Sequence, residues 1–349
     1  MNNKSINLIK VYEFLNTKTC KNICKIALIV CIILDLIGLG FSPLIEKIKV
    51  GEINAWHETL IGIIPNISEI TKSILPYLIL TTICLIIVLL LKPIIIVFSH
   101  TSMHHTLDEI GSSIKKNYFI KSISLEQSNV VDQSYPKAED IKNVDEQAAL
   151  LKSKATKFRC AYYGIAHTPL VFRVGFQFGN GKNIILLHRK RDGRDSKFEE
   201  LSNDDNKLHI NHIEKNDDIL SFELVVSIST TTEINEQCLE IFDKDSKHIV
   251  MFSTNEHNYD VILSYKTVEY LCTDIINVVK NLVSKYNIKT IHVVISSSIA
   301  FTFALGQAFN NNQFPNVIVY HFEAGEYQWG ISMKEKPNKA FIPTKACNR

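Results

Sequence analysis

The chain has 349 residues and a formal charge of +2 from 38 Lys and Arg against 36 Asp and Glu, a balance too even to name a partner. Its mean hydropathy of +0.06 averages an oily first third with an ordinary globular remainder. Eight cysteines occur singly and never as Cys-x-x-Cys, which excludes a disulfide framework or a zinc cage and suits a reduced, cytosol-facing protein.

Two apolar runs come first. Ile26 to Ile45 carries one charge, Asp35, and Ser73 to Leu91 carries none between Lys72 and Lys92. Each is about 20 residues, enough to cross a hydrocarbon core of about 30 Å as a helix. The expectation is a two-span membrane module over residues 1–99, with spans at about 26–45 and 74–98. Lys4, Lys10, Lys18, Lys21 and Lys25 before the first run and Lys92 after the second place both termini in the cytoplasm of a two-pass inner-membrane protein. Asp35, a carboxylate at mid-span, either bonds to a neighbouring helix or faces a pore as a gating residue.

Residues 100–154 read as a juxtamembrane linker, with the polar stretch from Ser122 to Lys154 either linker or a peripheral helical segment. His100 and His104, with His105, share a helical spacing that can hold a metal, but no third ligand lies nearby, and a coupling element is the alternative. Beyond residue 155, Leu170 to Phe178 and Asn183 to His188 read as strands of a hairpin turned at Asn180-Gly181. Ile219 to Ile228 is an apolar strand running into Ser229, Thr230, Thr231 and Thr232.

The last hundred residues alternate regularly. His248 to Phe252 and Thr290 to Ile295 are continuous apolar strands, and Thr267 to Tyr286 between them has helical periodicity. Ser297 to Phe309 is a second helix and Val317 to Phe322 another strand. This order predicts a doubly wound parallel sheet, an α/β fold whose ligands lie beyond the carboxyl ends of the strands. Ser296, Ser297 and Ser298 sit where a strand turns into a helix, so they either cap the helix or cradle a phosphate on its free N–H groups. Glu323 to Trp329 leaves the next strand end with aromatic and polar groups for a nucleobase. His188 to Arg194 is a basic cluster, either solvated loop or anion site. No Walker loop, nucleophile elbow, dinucleotide fingerprint or His-Glu-x-x-His motif occurs.

Two motifs carry a family resemblance. Tyr162-Tyr163-Gly164-Ile165-Ala166-His167-Thr168-Pro169 precedes the His188-Arg189 strand end. Ile291-His292-Val293-Val294-Ile295-Ser296 runs into Ala304-Leu305-Gly306-Gln307-Ala308-Phe309. In these the chain resembles the SAVED sensor domain of bacterial CBASS antiphage systems, over about residues 155 to 335; Phe198 stands where a tryptophan is common. The resemblance implies two fused CARF-like Rossmann units over residues 155–349 that bind a cyclic di- or trinucleotide made by a cGAS/DncV-like nucleotidyltransferase (a CD-NTase). With two spans in front, it implies a TM-SAVED effector: ligand binding drives homo-oligomerisation, the spans disrupt the inner membrane through its lipids, and the infected cell dies. No DNA, RNA, cofactor or metal is implied, and no catalytic residue. The site residues implied are Ser296, Ser297 and Ser298 for phosphate, His167 and Thr168 in the first unit, Arg189 and Arg191 for charge, and Tyr327 and Gln328 for a base. A membrane-tethered enzyme degrading a cyclic nucleotide and a passive membrane scaffold are the other readings.

Overall fold

A computed structural model describes residues 20–30, 32–33, 76, 79–103, 107–127, 130, 135–180, 184–190, 196–204, 208–310, 314–323, 326–334 and 340–341. The chain divides into two bodies, residues 1–94 and 95–349.

In the first body, residues 20–30 and 79–90 are helical, with Ile23, Ile26, Ile83 and Leu90 among their exposed side chains. Among the described residues, no helix is long and apolar enough to cross a membrane. The two-span anchor and the two-pass inner-membrane placement expected from the apolar runs are therefore not upheld. The second run shows the physical reason most clearly. Its helix stops before Pro93, which cannot continue it, and Ile94–Thr101 form a buried strand (β1) rather than the end of a span. β-Branched Ile94, Ile95, Ile96 and Val97 favour the pleated backbone. Asp35 lies outside the described residues.

The second body starts from β1. Residues 100–154, expected as a linker or, in the polar second half, a peripheral helical segment, contain the end of β1, a short helix α1 (Ser112–Asn117), strand β2 (Phe119–Glu126) and helix α2 (Ala138–Lys154). The helical alternative thus holds for α2 and the linker does not. Then follow β3 (Arg159–Ile165), α3 (Thr168–Phe178), β4 (Ile184–Lys190) and β5 (Lys197–Glu200). Together the strands make a five-stranded sheet in the order β2-β1-β3-β4-β5, with β1, β3 and β4 parallel. The expected hairpin is absent here: Leu170 to Phe178 belong to α3, begun after His167 with Pro169 in the first turn, and β4 runs parallel to β3. Nearly every side of α3 is buried, so its helical period is hidden in the sequence and the run imitates a strand.

The remaining strands are β6 (Ile210–Lys215), β7 (Glu223–Ser229), β8 (His248–Thr254), β9 (Thr290–Ser296), β10 (Asn316–Glu323), β11 (Glu326–Ser332) and β12 (Ala340–Phe341). Helix α4 (Tyr265–Tyr286) links β8 to β9, and α5 (Ile299–Phe309) links β9 to β10. Their seven-stranded sheet has the order β12-β11-β10-β9-β7-β8-β6, parallel through β10-β9-β7-β8 and antiparallel at its edges. The alternation expected over the last hundred residues is observed.

The body is internally duplicated. β9 and α5 begin at 290 and 299, each 131 residues after β3 at 159 and α3 at 168. The repeat holds at the side chains. α3 and α5 cross so closely that a Cβ on Gly175 would lie 2.1 Å from the Phe303 carbonyl oxygen, and one on Gly306 would lie 2.2 Å from that of Phe172. Phe172 and Gly175 in one helix thus exchange places with Phe303 and Gly306 in the other. Each helix also packs on the other half's sheet, α3 on β10 and β11, α5 on β3 and β4. Arg173 of α3, 2% exposed, pins three elements: its guanidinium forms a two-pronged ion pair with Asp145 of α2 at 2.7 and 2.8 Å and donates to the Ser332 carbonyl oxygen of β11 at 2.6 Å.

Candidate functional site

Among the parallel strands of each sheet the chain reverses its direction of growth at one point, between β1 and β3 in the first and between β7 and β9 in the second. Such switch points open a crevice at the carboxyl ends of the strands, where ligands of parallel sheets bind. An eleven-residue helix starts at each switch point. In α5 the first N–H groups, of Ile299 and Ala300, have no partner within the helix. In α3, by contrast, Pro169 has no N–H, and the Leu170 and Val171 N–H groups donate to the His167 carbonyl oxygen at 3.0 and 3.1 Å.

At the second switch point the serine run meets the threonine run. Thr230 and Thr231 donate their backbone N–H groups to the Ser296 carbonyl oxygen at 2.8 and 3.1 Å. The Thr230 hydroxyl donates to Ser297 Oγ at 2.7 Å, Thr231 Oγ1 lies 2.9 Å from Ser296 Oγ, and the Thr232 N–H donates to Ser296 Oγ at 3.0 Å. Ser298 is the N-cap of α5, its Oγ accepting from the Phe301 N–H at 3.3 Å. Capping is thus realised at Ser298, while Ser296 and Ser297 form a half-buried hydroxyl ladder with the threonines that follow β7. The threonines are the partners that sequence reasoning left without a role, although the Ser-Thr-Thr-Thr run at a strand end was visible.

The first switch point repeats this with different chemistry. Ser102, just past β1, accepts the His167 backbone N–H at 2.8 Å, and its Oγ lies 2.7 Å from His167 Nδ1. His167 occupies the N-cap position of α3, equivalent to Ser298 in the repeat, and Thr168 follows half-buried as the first helical residue. The His167 ring stands edge-on to His321 at 4.5 Å and lies 5.7 Å from Trp329, so the end of β10 closes against the start of α3. Burial pushes the His167 imidazole down to about 4, and neighbouring His321 pushes the same way against the opposing pull of Glu323. Burial alone brings His321 to about 4. Both rings are uncharged at neutral pH and offer hydrogen bonds rather than a counter-charge.

The other expected residues fall elsewhere. Arg189, at the end of β4, is ion-paired with Asp108 and donates to Ser196 Oγ, while His188 Nε2 lies 2.7 Å from Asp260 Oδ1. Arg189 thus already faces a carboxylate; Arg191 lies outside the described residues. Tyr327 is buried in the core with Phe242 and Tyr320 rather than presented to a base, while the alternation of β11 turns its neighbour Gln328 outward. Gln328 is exposed, its Nε2 3.5 Å from the Glu323 carbonyl oxygen. Phe198, where a tryptophan was expected, packs in the core edge-on to Tyr163 at 4.8 Å.

His100 is neither a metal ligand nor a surface coupling residue. It is fully buried in β1, with Nδ1 2.9 Å from the Tyr162 hydroxyl and Nε2 3.1 Å from Gln127 Oε1, and burial pushes it down to about 4. Its expected companions His104 and His105 lie outside the described residues. Among the described residues no group of His, Cys, Asp and Glu is arranged to hold a metal ion.

Residues 143–333 match the family of SMODS-associated and fused to various effectors sensor domains, SAVED. Among curated proteins none matches the chain. Among solved structures, the Acinetobacter baumannii Cap4 SAVED/CARF-domain containing receptor with the cyclic trinucleotide 3′3′3′-cAAA is similar at 14% identity and a TM-score of 0.49, over 76% of this chain and 60% of that one. A second structure of the same Acinetobacter baumannii receptor is similar at 14% identity and a TM-score of 0.47, over 81% and 61%. The Cap4 receptor of Moraxella osloensis is similar at 11% identity and 0.42, over 76% and 59%. The chain thus covers about three-fifths of the length of these receptors.

Proposed function

The chain belongs to the SAVED sensor-domain family, and from that premise we propose that it is the receptor of a cyclic oligonucleotide, a di- or trinucleotide messenger of CBASS-type antiphage defence made by a CD-NTase. The observation that supports this reading is the doubled switch point: two helix starts in one body, one furnished with hydroxyls from Thr230 and Ser297, the other with Ser102 and the uncharged His167. A cyclic oligonucleotide has several phosphates at fixed spacing, with bases projecting between them. The N–H groups and hydroxyls at the start of α5 suit a phosphate, and the half at the start of α3, where Pro169 leaves few N–H donors, suits a base. Thr168 and Gln328 stand as further contacts at the two rims. The protein acts by binding rather than by turnover, and occupancy of the crevices drives copies of the chain to assemble.

The test uses the full chain with a panel of cyclic di- and trinucleotides and isothermal calorimetry. One member binds tightly, and the bound ligand is recovered intact by chromatography. Thr230→Val combined with Ser297→Ala weakens binding at least tenfold, and Ser298→Glu, which sets a carboxylate where a phosphate would rest, removes it. Absence of binding across the panel by a folded protein overturns the proposal.

A further inference from the structure

The end of β10 carries a charge that a phosphate site does not want. Glu323, the last residue of β10, has a side chain 61% exposed, with Oε2 3.7 Å from His321 Nε2. It is close enough to His167 to act on that ring's protonation. His321 in turn touches His167 and Trp329. At the first switch point one exposed carboxylate therefore stands at the end of β10 beside a buried cluster of His167, His321 and Trp329, which Ser102 ties to the end of β1.

A carboxylate beside a phosphodiester costs affinity through like-charge repulsion. Against a nucleobase the same group is an asset, because an ionised carboxylate only accepts hydrogen bonds and forms strong ones with N–H donors. Bases that present such donors on their Watson–Crick edge are adenine and cytosine, through one amino group, and guanine, through adjacent N1–H and N2–H₂. Two parallel donors match the two oxygens of Glu323. The second switch point, by contrast, shows hydroxyls and backbone N–H groups, which are donors suited to phosphate oxygens. Backbone geometry favours this division. The register shift between His321 and Phe322 places Gln328 opposite no partner on β10, so its carboxamide stands exposed beside the Glu323 backbone and adds a second group able to read a base edge.

We infer that Glu323 is a specificity-determining residue, which accepts hydrogen bonds from the amino-bearing edge of a base, guanine in particular, at the His167–His321 half of the crevice. The inference rests on the proposed receptor function and adds to it the identity of the moiety in one half-site. It implies that a ligand with hypoxanthine in place of guanine, lacking N2–H₂, loses one of the two bonds.

The experiment measures, by calorimetry on the full chain, the affinity of cyclic di- and trinucleotides carrying guanine, adenine or hypoxanthine. Wild-type protein prefers the guanine ligand over its hypoxanthine counterpart by about tenfold, the scale of one charge-assisted bond. Glu323→Gln removes that preference while leaving thermal unfolding unchanged, since the side chain is mostly in water. Glu323→Asp, which shortens the reach, retains part of it. Equal binding of guanine and hypoxanthine ligands by wild-type protein, or an unaltered preference in Glu323→Gln, overturns the inference and leaves the receptor function standing. Binding of no cyclic nucleotide overturns both.

Discussion

Substituting Gly306→Ala tests whether the crossing of α3 and α5 holds the two halves together. The added Cβ would stand 2.2 Å from the Phe172 carbonyl oxygen, where ordinary contact begins near 3.4 Å, so the helices must part by about 1.2 Å. The obstacle is backbone within a buried helix and cannot rotate away. Overpacking of this kind costs about 3 kcal/mol at the upper end of the usual range. Alanine returns about 1 kcal/mol through its better helix propensity, which leaves a net loss of about 2 kcal/mol. For a body of this size that is a fall in Tm of about 4–8 °C, read by differential scanning calorimetry on the full chain. Gly175→Ala meets the Phe303 carbonyl in the reciprocal contact and loses a similar amount. Because both additions push apart the same pair of helices, the first opens room for the second, and the double variant loses less than the sum. A stabilised Gly306→Ala, or strict additivity, would refute the crossing as described.

Two further expectations concern buried charge. Asp145→Ala leaves the Arg173 guanidinium, among the described residues, with the Ser332 carbonyl as its partner; the loss is about 3 kcal/mol by urea unfolding, at the low end for a broken buried pair because Asp145 is 26% exposed. Arg173→Met together with Asp145→Leu recovers most of it, and an unperturbed Asp145→Ala would refute the buried pairing. His100, His167 and His321 each titrate near 4 in the folded chain and near 6.5 when unfolded. Below pH 6.5 the unfolded state binds more protons, so stability present above that pH is lost as pH falls toward 4. Three such groups give a slope of at most about 4 kcal/mol per pH unit, and His100→Gln removes about a third of it; urea midpoints between pH 7.5 and 4.5 measure both, and a flat profile would contradict the burial of these rings.

The amino-acid sequence alone determined the part of the fold where pattern and burial coincide. α4 shows an apolar stripe at helical spacing and ends at Asn287 in the left-handed region; β9 and β10 are short continuous apolar runs between turns, and the serines sit at a strand-to-helix junction. For that junction the sequence left capping and a phosphate cradle both open, and the structure assigns the N-cap to Ser298. Three matters were decided only by tertiary structure. An apolar run carries no label for what buries it: Ile94 to Phe98 suit a bilayer as well as a sheet, and pairing with β3 settles them as strand. Leu170 to Phe178 lose their helical period because α2, α5 and the second sheet cover α3 from nearly all sides. The partners at each switch point, Ser102 with His167 and Thr230 with Ser297, are 65 and 67 residues apart in the chain. No local pattern encodes contacts of that span; they exist because parallel strands bring distant strand ends to one edge, and because a duplicated unit packs against its own copy.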